Sequence, residues 1–323
     1  MVAALGALDQ LAGVTHECDH PPEVARLPRV TSSAIDHDAP SGAIDAEVRA
    51  LASTGAAVFT LDAALVAALE PRVLLTQSVC EVCALPEREV NRAVATLDTA
   101  TVVVSLGGTT LDGVWDDVRR VATAIGRRAE AERLIASSEA RMRRVHETLE
   151  AARAPRPRVA VLEWLDPPFV AGHWSPELVR RAGGVDVLAQ PGMHSVQVDA
   201  DAVRAADPEV LLFAPCGFDV GRAAREARAL LDTAPWRWAR ARETWALDGN
   251  ALTSRPGPRL VDAIETMAAI FAPALFGAPK QIYARAIGRR DARRHPERRT
   301  QRDVEGSAPS PSADSSTRSA RSE

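Results

Sequence analysis

Nowhere in its 323 residues does the chain hold the roughly 20 consecutive apolar positions that a bilayer-spanning helix needs. Excess positive charge is also missing. Against 43 Asp and Glu there are 39 Lys and Arg, a formal net charge of −4, so no overall basic field recruits nucleic acid. Lys280 is the single lysine, and arginine carries nearly all the positive charge, which reads as compositional bias rather than function. The sequence has no Gly-x-Ser-x-Gly elbow, no His-Glu-x-x-His helix and no Walker loop. Gly107-Gly108 lacks the rest of a phosphate-binding pattern. The amino terminus has no basic segment, and Asp9 cuts its apolar run short, which predicts a cytoplasmic location for the chain as written. Cysteine is scarce, with four in the whole chain, too few for a disulfide framework.

Those four cysteines are placed alike. Cys80 and Cys83 stand in Thr76-Gln77-Ser78-Val79-Cys80-Glu81-Val82-Cys83-Ala84, just past the apolar run Val73-Leu74-Leu75. Cys18 follows Ala12-Gly13-Val14, and Cys216 follows Val210-Leu211-Leu212-Phe213. Short apolar runs read as buried strands, and ligands of open α/β sheets bind at the loops that leave the strands. The thiols are therefore expected to converge on one cleft. Three readings stay open for them: small core hydrophobes, soft ligands for zinc or iron, or a Cys80/Cys83 redox pair.

Short apolar runs alternate with longer amphipathic segments throughout, the pattern of βαβ units and a mostly parallel sheet. Expected strands are 56–59, 73–76, 101–105, 158–163, 186–188, 210–214 and 244–247. A proline-free segment from Leu111 to Ala152 is divided near Gly126. Its second part places Ala131, Leu134, Ile135, Met142, Val145 and Leu149 at helical spacing and closes at Ala154-Pro155-Arg156-Pro157. About 25 helical residues would reach about 38 Å. The division predicted is an amino-terminal α/β lobe (1–126), a linker helix (127–153), a carboxy-terminal α/β lobe (154–279) and an Arg-, Ser- and Pro-rich disordered tail (280–323). Arg289, Arg290, Arg293, Arg294, Arg298 and Arg299 have no interleaved aromatic for base stacking, so nucleic acid is not an expected partner.

Other groups are candidates by position. His16, Glu17, Asp19 and His20 crowd one loop, where imidazole and carboxylate can complete a metal shell, act as acid and base, or simply form a polar turn. Trp164, Phe169, His173 and Trp174 follow the first strand of the second half, and flat aromatics suit a macrocycle as well as a core. Trp174 and His173, beside Gly172 and a serine cap, are expected to face the cleft. Phe218 sits in the loop after Cys216, and Arg255 can meet a carboxylate, an amide or a phosphate, or be solvated.

In order along the chain stand His-Glu-Cys-Asp-x-Pro, Thr-Gln-x-x-Cys-x-Val-Cys-Ala, the long linker, Glu-Trp-x-x-Pro-Pro and Pro-Cys-Gly-Phe. This series resembles the cobalamin and iron-chelate substrate-binding proteins of ABC importers, in particular their cysteine-containing cobalamin-binding branch, over residues 5–277. The resemblance implies two Rossmann-like lobes joined by a single long helix, with ligand in the cleft between them and little closure motion. It implies non-catalytic binding of a corrinoid or other metal chelate by a monomer, with an ABC permease as partner if the chain is exported. Against the family pattern the chain opens inside the helix ending near Leu8, one strand late, so a periplasmic or surface location goes with a truncated start. Expected ligand contacts are Glu17, Gln77, Glu81, Trp164, Phe169, His173, Trp174, Phe218 and Arg255. Expected metal ligands are Cys18, Cys80, Cys83, Cys216 and His16, for a thiolate-bound zinc or iron. A metal-dependent or thiol-redox cytoplasmic enzyme and an intracellular cofactor carrier are the alternatives.

Overall fold

The computed structural model describes residues 1–79, 87–95 and 100–288. Two groups of strands are separated by one long helix. The first group holds β1 (Thr31–Ser33) paired antiparallel with β2 (Phe59–Leu61), and β3 (Val73–Gln77) paired parallel with β4 (Val102–Leu106). Helices α1 (Ser41–Thr54), α2 (Ala63–Leu69), α3 (Glu87–Val94) and α4 (Leu111–Ala124) surround them. Asp62 caps α2 by accepting from the Leu65 N–H, and Thr110 caps α4 from Gly113, which satisfies amide groups the helices leave open.

The linker, α5 (Arg128–Ala151), is unbroken over 24 residues. Ala131, Ile135, Ser138, Met142, Val145 and Leu149 are its buried stripe, at alternating four- and three-residue steps, and Leu134 is partly buried beside them. Arg141, on the same helix, donates to Glu265 at 2.9 Å and to Asp262 at 2.5 Å, and these lie on α10 (Leu260–Phe271) of the second group. Packing and charge thus fix the linker to the lobe it enters.

That second lobe is one sheet. Its spine is the parallel series β5 (Arg158–Leu165), β9 (Val210–Phe213) and β10 (Glu243–Leu247), with Val159 opposite Val210 and Val210 opposite Glu243. The parallel β7 (Val185–Asp186) and the antiparallel β6 (Pro168–Val170) pair with β5, and β8 (Val196–Gln197) extends β6. The residues of β9 are all buried, the continuous apolar run expected of a strand covered on both faces. The covering helices are α6 (Ser175–Arg181), α7 (Ala200–Ala205), α8 (Val220–Asp232), the short α9 (Gly249–Leu252) and α10, and α11 (Pro273–Phe276) follows.

Two differences from the sequence reading have local causes. The first is that the predicted 56–59 strand starts later, at Phe59, because it pairs with β1, which lies in a polar stretch without the alternation that marks a strand. The second is a correction. Disorder expected from 280 onward does not hold for its first residues, since β11 (Ala284–Ala286) closes the sheet edge antiparallel to β10, with Ala284 buried. Three residues with one buried alanine offer little hydrophobic pattern to read.

Gly249 opens α9 where a Cβ would stand 2.1 Å from the Pro215 oxygen and 2.7 Å from that of Ala214. This close approach brings the loops after β9 and β10 together. Gly249→Ala should therefore lower unfolding stability by about 1–3 kcal/mol, read from the urea midpoint, with an unchanged midpoint arguing that the two loops part freely.

Candidate functional site

Three loops leave the carboxyl ends of β5, β9 and β10, and each meets the first lobe. The loop after β10 carries Asn250 and Arg255. Asn250 donates to Asp19 Oδ2 at 2.7 Å, Arg255 pairs with Asp19 Oδ1, and its other terminal nitrogen lies 3.4 Å from Glu17 Oε2. Burial pushes the Asp19 carboxyl up, but the Arg255 guanidinium and the Asn250 amide outweigh it and hold it below the usual carboxylate range.

Past β9, Arg222 of α8 lies over the Phe218 ring, 3.6 Å from its centroid, and donates to the carbonyls of His37 and Ala39. Glu226, one turn on, accepts from Arg222 at 3.2 Å and from the Ser41 N–H at the start of α1 at 3.1 Å. Phe218 packs against Trp164, with ring centroids 5.4 Å apart, and both join Ile44, Ile35, Ala39 and Val48 of the first lobe in one apolar cluster.

The loop after β6 holds His173 with φ 52°, an uncommon left-handed conformation for a histidine. It is kept there because the His173 N–H donates to Met193 O at 2.6 Å and the Gly192 N–H donates back to His173 O at 2.8 Å. Gly172 is needed beside it, since a Cβ would meet Met193 O at 2.4 Å. Such a conformation costs a non-glycine residue about 1–3 kcal/mol, which these hydrogen bonds offset. His194 meets the His173 ring edge-on at 5.3 Å, and His173 Nε2 is buried without a hydrogen bond. Burial, with His194 adding to it, pushes the His173 imidazole down. Next door, Glu177 accepts from the Leu111 N–H at the start of α4 at 3.1 Å, a buried tie between the lobes.

An α/β chain of two lobes hinged on one helix, with its loops facing each other across the seam, has a direct counterpart among known families. The model of the periplasmic binding proteins matches residues 1–232. The chain belongs to this family. Its members are non-enzymatic proteins that bind small-molecule ligands and work with ABC permeases, and this chain is a binding protein rather than an enzyme. Among solved structures it is similar to a periplasmic haem-binding protein from Pseudomonas aeruginosa, at 23% identity and TM-score 0.65, covering 87% of this chain and 92% of that one. A periplasmic vitamin B12-binding protein of Vibrio cholerae is similar at 19% identity and TM-score 0.56, covering 84% and 92%. So is an ABC-type ferric hydroxamate transport protein from Saccharomonospora viridis, at 19% and 0.56, covering 86% and 89%. No curated protein matches the chain. At these identities the likeness is one of fold, and no helix among the described residues is long and apolar enough to cross a membrane.

Within this binding protein the residues singled out from sequence fall into several groups. Glu17, Arg255, Trp164 and Phe218 lie at the lobe seam, as does His16 beside Glu17. His173 is half-buried in its strained loop, and Phe169, on β6, is half-buried opposite Trp164. Gln77 ends β3, next to Ser78, whose hydroxyl reaches Leu106 O at 3.4 Å. Cys18 is half-buried with its Sγ 3.3 Å from the Thr15 hydroxyl, and Cys216 is half-buried with its N–H on Glu163 O at 3.0 Å. The two stand on opposite lobes, while Cys80, Glu81 and Cys83 lie outside the described residues.

Trp174 requires a correction. Expected to face the cleft, it is 5% exposed, and its indole N–H donates to Thr253 O at 2.8 Å. The ring is a peg between two loops of one lobe. Sequence reasoning missed Arg222, Glu226, Asn250 and His37, whose partners lie far away in the chain. Only the Asp219 cap, which accepts from the Arg222 N–H at 2.8 Å, has a local signature.

Two outcomes follow. Trp174→Phe keeps the packing but leaves the Thr253 carbonyl without its donor, and should cost about 1–3 kcal/mol in urea unfolding with no direct effect on a ligand in the cleft. His16, His20 and His173 are all pushed down chiefly by burial. Their folded-state values lie below the ordinary 6.5 or so, so the stability they confer is complete above about pH 6.5 and drains as pH falls through the depressed values. Unfolding midpoints should therefore be lower at pH 5.5 than at 7.5, and His173→Gln should narrow the difference.

Proposed function

We propose that the chain binds a corrinoid or a related metal chelate, such as a haem-type macrocycle, in the seam between its lobes and, when exported, presents it to an ABC permease at the periplasmic or outer surface. The observation that carries this reading is the make-up of the facing loops. Flat aromatics (Trp164 and Phe218) stand at the carboxyl ends of β5 and β9, Arg222 lies over Phe218, Arg255 reaches the first lobe from the loop after β10, and imidazoles (His16, His37 and His173) stand on loops of both lobes. A large planar chelate with acidic or amide side arms needs that combination: apolar faces for the ring, guanidinium forks for the arms and a nitrogen for the metal. The similar structures are of proteins for haem, vitamin B12 and ferric hydroxamate, all metal chelates, which supports the class without choosing within it.

The seam as described is closed by contacts that a ligand must replace. Arg255 holds Asp19 and Glu17, and α1 covers Trp164 and Phe218. A ligand carboxylate can meet both terminal nitrogens of Arg255, one of which now meets Asp19 and the other Glu17, so entry exchanges charge-assisted contacts of the same kind. Under this reading the half-buried Cys18 and Cys216 line such a ligand from either lobe, with Gln77 and Phe169 as further contacts, while Glu81 lies outside the described residues. A thiolate-bound zinc or iron is a further occupant of the cysteine loops under this proposal.

The test is to titrate cobalamin, cobinamide, haemin and a ferric hydroxamate into the purified chain, following calorimetry and the absorption of each chelate. One of them should bind at micromolar concentration or tighter, and Trp164→Ala should weaken it about 5- to 150-fold, as for an aromatic anchor worth about 1–3 kcal/mol. No binding of any of the four would reject the chelate reading.

A further inference from the structure

Three side chains at the edge of the seam bring nitrogen and oxygen donors together without any cysteine. His16 Nε2 lies 3.5 Å from Glu17 Oε1, and His37 Nδ1 lies 3.9 Å from that same oxygen. The three donor atoms are all within 4.8 Å of one another. Two ligands of a tetrahedral zinc, each about 2.1 Å from the ion, stand about 3.4 Å apart. His16 and Glu17 already hold that spacing, and His37, 3.9 Å from the carboxylate oxygen and within 4.8 Å of His16, needs a shift of about 0.5 to 1.4 Å, which an exposed side chain on a loop can make. We propose that His16, Glu17 and His37 form a divalent transition-metal site of the zinc class, with three protein ligands and one open coordination position. It takes His16 and His37, two of the imidazoles named above for the chelate, and leaves His173 for that role.

The surroundings are those of a supported ligand set. His16 Nδ1 is 2.7 Å from the Thr31 hydroxyl, the kind of outer partner that orients a metal-bound imidazole and leaves its Nε2 lone pair for the ion. Thr31 Oγ1 also accepts from the His16 backbone N–H at 3.0 Å, so one buried threonine fixes both ends of the residue. The Phe59 ring, 5.2 Å from the imidazole, walls one side. His16 Nε2 is buried with no hydrogen bond, facing a carboxylate oxygen. With the ring proton on Nδ1 toward Thr31, the Nε2 lone pair and Glu17 Oε1 are two acceptors that a cation between them satisfies. Glu17 has an oxygen to spare, because Oε2 is the one turned to Arg255, 3.4 Å away, and Oε1 is the one turned to the histidines. Cys18 does not belong to the set, since its sulfur is turned to Thr15.

A further consequence lies in where the ligands are anchored. Both loops that supply donors are gripped by arginines of the other lobe: Arg255 holds Glu17 and Asp19, and Arg222 holds the His37 carbonyl. A metal at this point ties residues 16–17 to residue 37 while each is pinned across the seam. Metal affinity and lobe contact are then linked, and each strengthens the other.

The experiment uses the whole chain, stripped with a chelator, and cobalt(II) and zinc(II) salts as probes, without any macrocycle present. Cobalt should bind with one equivalent and give the intense visible bands of a four-coordinate ion without sulfur-to-metal charge transfer, and zinc should displace it. His37→Ala and Glu17→Gln should each weaken cobalt binding about tenfold or more. A variant with all four cysteines changed to serine should keep it, as should His146→Ala on α5. His37 is exposed, so its replacement leaves the unfolding midpoint in place and separates ligation from folding. Failure to take up cobalt or zinc would overturn the site, as would unchanged affinity in His37→Ala or loss of the metal in the serine variant. Because no chelate enters this experiment, it can fail while the chelate titration succeeds, and the reverse.

Discussion

Asp19 is the point on which the arrangement of the two lobes turns. One carboxylate takes a guanidinium and an amide from across the seam, from residues more than 230 positions away in the chain. Its partners come from the loop that begins α9, and that loop is positioned by the close approach of Gly249 to the end of β9. The buried parallel strands β5, β9 and β10 set the heights of the three loops: Leu162, Phe213 and Ala246 lie level, and β5 runs on beyond them to Leu165. Apolar burial thus builds the platform, and a few charge-assisted hydrogen bonds decide what the platform meets.

How much of this can be read without coordinates depends on how local the cause is. The linker helix is legible because its stripe repeats every three or four residues and its end is marked by prolines, and the structure runs it from Arg128 to Ala151. The strands β3, β4, β5, β9 and β10 are legible for the same reason, as apolar runs between helical segments. Strands β1, β6, β8 and β11 are not, since each is two or three residues long and owes its existence to a neighbour. Tertiary pairing outweighs propensity at that length.

The site divides along the same line. His16, Glu17 and Arg255 could be picked out because charged and imidazole groups in loops after apolar runs are uncommon enough to notice. The fate of Trp174 could not. A tryptophan next to glycine and a helix cap looks exposed until its indole proton is seen to have a buried carbonyl waiting for it, 79 residues later. His37 was invisible for the opposite reason: a lone histidine in a polar stretch carries no pattern, and only the fold brings it to His16.

The indole bond has one more meaning. Thr253, which receives it, stands two residues before Arg255, while Trp174 follows His173 directly. A short rigid bar therefore joins the loop that grips the first lobe to the loop that holds a histidine under strain. If Arg255 is pulled aside by an incoming acid group, the pull is passed along that bar to the histidine loop, so the two ends of the ligand bed move as parts of one jaw rather than as separate fingers.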